Sequence, residues 1–97
     1  MNQTICNAMA NLRLIEFTYK DETQARIAEP HCHGNTTKGN EVVRAYQVGG
    51  YSNNPIPEWR LFSVNEMKNL HILDGTFTAR AEYRRGDKQI PEICCEL

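Results

Sequence analysis

The segment that most constrains the fold is KGNEVVRAYQ, residues 38–47, because polar and apolar side chains alternate along it. Successive side chains of a strand point to opposite faces, so Val43 and Ala45 share one face while Arg44 and Tyr46 share the other. The small apolar pair can fill a core, and the cation and the phenol then project together. The segment predicts a half-buried strand whose outer face suits an anionic partner.

A second strand-like run, residues 59–64, places Arg60 among apolar neighbours. If the two runs are neighbouring strands, the guanidinium groups of Arg44 and Arg60 would converge on one patch. A planar fork of N–H donors is well suited to bidentate contact with phosphate or carboxylate. The alternative for each arginine is an ordinary ion pair with a nearby Glu, which adds little stability at a surface.

Length and charge limit the classes of function. A chain of 97 residues makes one domain. Its 11 basic and 12 acidic residues leave a net charge of -1, which argues against a general nucleic-acid coat protein and requires any anion site to be local. No apolar run approaches the roughly 20 residues of a membrane helix, and the amino terminus does not resemble a secretory signal, so we expect a cytoplasmic protein.

The four cysteines, Cys6, Cys32, Cys94 and Cys95, could form two disulfides. Their spacing resembles no secreted scaffold, and the adjacent pair cannot close on itself without strain. We therefore expect reduced thiols.

The rest of the chain predicts one helix and short strands. Thr4 can cap an amino-terminal helix with an apolar stripe of Ile5, Met9 and Leu12. The predicted strands are residues 14–19, 23–29, 41–48, 59–64 and 69–73. Pro30 lacks a backbone donor, so the pairing of the second strand should end or bend near His31. We also expect a polar turn at 34–40, a long loop at 49–58, a helical turn from Asn65 and closure of the core by Phe77. This order favours a mainly β protein, a small five-stranded antiparallel barrel with an N-terminal helix.

Several segments together resemble a WYL domain, the Sm-like or SH3-like bacterial barrel that is usually attached to helix-turn-helix regulators. They are LIEFTYK in the first strand, Arg26 followed by AEPH at 28–31, RAYQ at 44–47, WRLF at 59–62 and LHILDGTF at 70–77. The resemblance covers residues 5–77, although Glu41, Val42 and Val43 stand at the positions of the name-giving Trp, Tyr and Leu, and Glu66 replaces a residue that is often basic.

The resemblance implies a ligand-sensing module that binds nucleic-acid fragments or other anions and adjusts an attached or partner protein. The positions that carry over are Arg26, Arg44, Tyr46 and Arg60. His31 and Lys38 are additional candidates, while a base could stack on Tyr46 or Tyr51, and Tyr46 could equally belong to the core. Trp59 is assigned to packing under the long loop.

Metal binding and catalysis are weaker alternatives. His31, Cys32 and His33 invite a metal assignment with Cys94 or Cys95 as remote ligands, but Cys32 alternates away from its neighbours and no paired motif supplies a tetrahedral site. A thiol nucleophile with an adjacent histidine base lacks an identifiable orienting group or oxyanion donor. We predict no metal, no cofactor and no enzymatic activity.

The sequence thus predicts a non-enzymatic regulatory module for an anionic ligand, a nucleotide or short single-stranded nucleic acid, with no membrane partner. Its domain would be residues 1–78, followed by a tail, residues 79–97, that packs on the barrel or on a partner. The alternative function is a protein-interaction module that docks on a separate regulator or self-associates, for which Ile90, Ile93 and Leu97 of the tail are the motivation.

Overall fold

A computed structural model describes residues 2–97, and Met1 lies outside the described part. The chain forms one helix, α1 (Gln3–Ala10), and a 3-10 turn (Val64–Glu66). The strands are β1 (Arg13–Tyr19), β2 (Arg26–Asn35), β3 (Glu41–Gly50), β4 (Glu58–Ser63), β5 (Met67–Thr76) and β6 (Glu92–Glu96).

All strand pairings are antiparallel, and the sheet order is β4-β3-β2-β1-β5 with β6 paired to β2. Among residues 2–97 no ladder joins β4 to β5, so the described pairing is an open sheet. The mainly β class, the antiparallel pairing and the N-terminal helix are confirmed. The sixth strand was not predicted, and closure into a barrel stays a prediction.

The main core lies between α1 and one face of the sheet. Alternation in β1 buries Ile15 and Phe17, and alternation in β3 buries Val43 and Ala45, as predicted. The ring of Phe62 on β4 meets the ring of Phe17 edge to face, with centroids 4.9 Å apart. The buried members of this cluster are Ile5, Ala8, Met9, Ile15, Phe17, Ala28, Val43, Ala45, Phe62 and Val64.

The helix cap lies two residues before the predicted one. The side chain of Asn2 accepts a hydrogen bond from the backbone N–H of Thr4 at 3.0 Å, so Asn2 and not Thr4 is the cap. Leu12 lies beyond the helix end with a φ of 52° and is exposed, so the predicted apolar stripe keeps only Ile5 and Met9.

Strand β2 continues through Pro30 to Asn35, so it does not end near His31, but its pairing is irregular there as the alternative prediction of a bend required. Along one edge, β2 pairs with β1 as far as Ala28 and with β6 from Cys32 onwards. Pro30 lies in the gap between these two pairings. The register with β3 also shifts between Pro30 and Cys32. A residue that lacks an N–H donor is tolerated at such an interruption.

The chain after Thr76 returns over the outer face of the sheet and ends as β6. Ile90 is fully buried against Cys32 and Val42 in a second, smaller cluster, and Leu97 packs against the main core. Of the three apolar tail residues, Ile93 is the exposed one.

Cys6 on α1 and Cys95 on β6 form a disulfide, so the prediction of reduced thiols is wrong for this pair. They meet because α1 and β6 both contact β2. Cys32 and Cys94 are free. The described residues contain no helix that is both long and apolar enough to span a bilayer.

Candidate functional site

The predicted ligand residues separate into three places. Arg26 and Arg60 line a cleft at the end of the sheet, whereas Lys38 lies in the exposed turn between β2 and β3. Arg44, Tyr46 and His31 belong to the outer face, which the segment after Thr76 covers.

Arg44 and Arg60 lie on opposite faces of the sheet, so their predicted convergence is wrong. In the register of β3 with β4, Arg60 stands opposite Ala45, and Leu61 stands opposite Arg44. Residues directly opposite each other in an antiparallel pair share a face, which puts Arg60 on the side of buried Ala45. Arg44 is one residue along β3 and therefore points the other way.

Arg44 is held by the covering segment. Its Nε donates to Oδ2 of Asp87 at 2.8 Å, and its Nη2 donates to the side chain of Gln89. Burial alone would raise the pKa of the Asp87 carboxyl, but the hydrogen bond from Arg44 and another from the Gln89 backbone lower it below its usual value. The guanidinium group thus has a carboxylate partner within its own chain.

Tyr46 and His31 are enclosed by other side chains. The Tyr46 ring lies 5.0 Å from that of Trp59, and the guanidinium carbon of Arg80 is 4.5 Å from its centroid. The ring of His31 is buried, and its Nε2 accepts a hydrogen bond from the Arg80 backbone at 3.1 Å. Arg80 also forms two hydrogen bonds with the buried carboxylate of Glu29.

The cleft that contains Arg26 and Arg60 has a volume of about 550 Å³. It opens between the β1–β2 loop and the loop that leads into β4. Its lining combines aromatic rings, cations and two carboxylates: Tyr19, Lys20, Asp21, Glu22, Arg26, Tyr51, Asn53, Arg60, Leu61 and Phe62. The lining has three cations and two acids, and the carboxylate of Glu58, 2.9 Å from Arg60, balances the third cation.

Arg26 is a structural member of the cleft. Its Nε and Nη2 donate to the two carboxylate oxygens of Glu22 at 2.9 and 2.7 Å, and its Nη1 donates to Gln47 at 3.0 Å. The hydrogen bond from Arg26 lowers the pKa of Glu22 despite the opposing effect of burial. The guanidinium carbon also lies within 6 Å of the ring centroids of Tyr19, Tyr51 and Phe62.

Arg60 has fewer partners. Its Nη2 donates to Oγ of Ser52 at 2.6 Å, which is its only side-chain hydrogen bond among the described residues. Oε2 of Glu58 lies 2.9 Å from the same nitrogen but makes no hydrogen bond, so that contact is an ion pair without good N–H alignment. The buried Nε also lacks a partner in the described chain. A guanidinium group carries five N–H donors, and Arg60 makes one side-chain hydrogen bond with them beside its ion pair with Glu58.

A cluster of possible metal ligands lies where α1, β2 and β6 meet, and it includes Cys6, which was not considered as a ligand from the sequence alone. His33 and Cys94 join the Cys6–Cys95 pair there, whereas His31 and Cys32 do not. Burial, with the negative charges of Asp87 and Glu96, raises the pKa of Cys32 to about 11, so its thiol stays protonated at neutral pH. The available signal was compositional only, namely several thiols and histidines without a local motif.

Comparison with protein-family models, with curated proteins and with solved structures found no match.

Proposed function

We propose that this protein is a non-enzymatic module that binds an anionic ligand, a nucleotide or a short single-stranded nucleic acid, in the cleft beside Arg60. One observation carries the proposal: Arg60 is the arginine of this cleft with fewer side-chain hydrogen bonds, one against the three that Arg26 makes to its own chain. Phosphate and carboxylate are the groups that a guanidinium fork binds best.

The surroundings of Arg60 support a ligand with both charge and an apolar part. Lys20 adds an exposed cation, and the half-buried ring of Tyr51 adds aromatic surface. A base stacked on an aromatic side chain contributes about 1 to 3 kcal/mol. The acidic residues Asp21 and Glu22 favour a small ligand over a long polyanion, because they limit the positive field. We also propose that the sheet belongs to a WYL-like barrel of the Sm-like or SH3-like type.

Fluorescence anisotropy with labelled short DNA, short RNA and nucleotides at low salt tests this function. We expect Arg60→Ala to weaken binding at least tenfold, since one guanidinium contact to a phosphate is lost. Affinity for a single strand should also fall with added salt, with a log–log slope of about -0.7 for each phosphate contact.

Two variants serve as matched controls. Arg44→Ala removes a guanidinium from the opposite face, and Lys38→Ala removes a cation from an exposed turn. Both should bind as the wild type does, after thermal melts show that each is folded. Absence of binding by the wild type at low salt, or equal losses in Arg44→Ala and Arg60→Ala, would contradict the proposal.

A further inference from the structure

We propose that Cys6, His33, Cys94 and Cys95 form a zinc site when the protein is reduced. Their four ligand atoms, three sulfurs and one ring nitrogen, all lie within 4.8 Å of one another. These residues come from three elements, α1, β2 and β6, and are brought together only by the fold.

The separations fit a tetrahedral ion. Zn–S bonds of about 2.3 Å and Zn–N bonds of about 2.0 Å place two sulfurs about 3.8 Å apart and a sulfur and a nitrogen about 3.5 Å apart. Here Sγ of Cys6 lies 3.7 Å from Sγ of Cys94 and 3.2 Å from Nδ1 of His33, while Sγ of Cys95 lies 3.6 Å from the same nitrogen. The bonded sulfurs of Cys6 and Cys95 would have to separate, and the remaining pairs, which involve Cys94, lie within 4.8 Å.

His33 has the environment of a metal ligand. Its ring is fully buried, and Nε2 lies 2.6 Å from Oε2 of Glu41. When Nε2–H donates to that carboxylate, Nδ1 keeps its lone pair and faces the sulfurs. A carboxylate that orients a ligating histidine in this way recurs in zinc sites.

Glu41 is itself fixed in place. Its Oε2 accepts a hydrogen bond from the backbone N–H of Asn2 at 2.8 Å, so the carboxylate that orients His33 also ties down the start of α1.

An irregularity in β6 lets two adjacent cysteines contribute. His33 pairs with Cys95 and Gly34 pairs with Ile93, so Cys94 is an extra residue without a partner on β2. Neighbouring side chains of a regular strand point to opposite faces, and a bulge re-aims the extra one. This explains how the sulfurs of both cysteines reach the same cluster.

The disulfide and the zinc site are alternative states of one cluster. A dithiol reductant would give two electrons and two protons to the Cys6–Cys95 bond, form its own disulfide and leave two protein thiols. Zinc would then displace the protons of Cys6, Cys94 and Cys95 and take Nδ1 of neutral His33 as its fourth ligand. Four protein ligands leave no open position, which is typical of a structural site.

Zinc content and cobalt spectroscopy of the full chain test the site. Protein reduced with a phosphine, loaded with Zn²⁺ and desalted, should retain one zinc per chain by mass spectrometry. With Co²⁺ it should show the d–d bands of a tetrahedral site and thiolate-to-cobalt charge transfer. Loss of zinc on desalting, or a cobalt spectrum without charge transfer, would overturn the proposal.

The Cys94→Ser variant distinguishes a zinc site from a disulfide that has a cysteine and a histidine nearby but binds no metal. Cys94 takes no part in the disulfide, so this variant can be purified oxidised and shown to be folded before it is reduced. We expect its zinc affinity to fall at least tenfold, and Glu41→Gln to cost about 10- to 100-fold through the orienting contact. Cys32→Ala, which removes a free thiol outside the cluster, should bind as the wild type does. An unchanged affinity in Cys94→Ser would refute the assignment.

Discussion

The ring of His31 is fixed in its neutral form by two backbone contacts. Nδ1 lies 2.9 Å from the carbonyl oxygen of Glu29 and donates to it, while Nε2 accepts from the N–H of Arg80. A proton added to Nε2 would point at that N–H. Burial is the main reason that the pKa of His31 is below its usual value, and Arg80 adds to it while Glu29 and Glu82 oppose it.

We therefore expect His31 to make the protein less stable in mild acid. A base whose pKa is lowered on folding contributes stability fully above its unfolded pKa, about 6.5, and loses that contribution as the pH falls toward the folded value. Urea unfolding between about pH 5 and pH 8 should show the decline, and His31→Gln should show a smaller one. Identical slopes for the two proteins would contradict this account.

The pair of Glu22 and Arg26 gives a second prediction for single residues. Both side chains are largely buried, with 17 % and 6 % exposure, so Glu22→Ala leaves a buried cation without its carboxylate. We expect a loss of about 3 kcal/mol in the free energy of unfolding. The neighbouring exposed residue supplies the control, because Asp21→Ala should change stability by less than about 0.5 kcal/mol. Chemical denaturation measures both.

At the scale of strands, alternation predicts faces but not register. The pattern of residues 41–48 correctly buries Val43 and Ala45 and turns Arg44 outward. Whether Arg60 stands opposite Arg44 or Ala45 depends on the conformation of the loop between β3 and β4, which single-residue patterns do not encode. A shift of one residue reverses the face of every side chain in β4, and this explains why the predicted anion patch was wrong.

The β2–β6 pairing depends on a close approach at Gly34. A Cβ atom at this position would lie 2.1 Å from the carbonyl oxygen of Glu92 and 2.8 Å from the Ile90 side chain, so backbone would have to move. We expect Gly34→Ala to cost about 1 to 3 kcal/mol. It should also increase hydrogen exchange selectively at the amides of β6, because that strand is the one displaced.

Gly49→Ala is the matched control for Gly34→Ala. Gly49 also lies in a strand paired with β2, but a Cβ there would make only ordinary contacts, 3.6 Å or more, with Ile27. Its effect on β6 exchange should be negligible. Equal effects of the two substitutions would show that the close approach at Gly34 does not decide the pairing.

At the scale of the whole molecule, a disulfide joins α1 to β6, and both of these elements contact β2. The Cys6–Cys95 link spans 89 residues, and His33 and Cys94 lie beside it. Sequence spacing could not reveal this group, because metal motifs are recognised from ligands a few residues apart. The long separation has a thermodynamic consequence, since a cross-link that closes a large loop restricts the unfolded chain strongly.

Reduction of the disulfide without metal should therefore lower the free energy of unfolding by about 2 to 4 kcal/mol. It should also raise the m value, the slope of that free energy against urea concentration, because the unfolded chain becomes less compact. Urea titrations with and without reductant, in the presence of a chelator, measure this, and Cys6→Ser should be insensitive to reductant.

Zinc at about 100 times its dissociation constant should return about 2.7 kcal/mol to the reduced wild type. Since the oxidised protein has no free Cys6 or Cys95 thiolate to offer, the same zinc should leave its stability unchanged. Equal stabilisation of the oxidised and reduced proteins would place the metal outside this cluster.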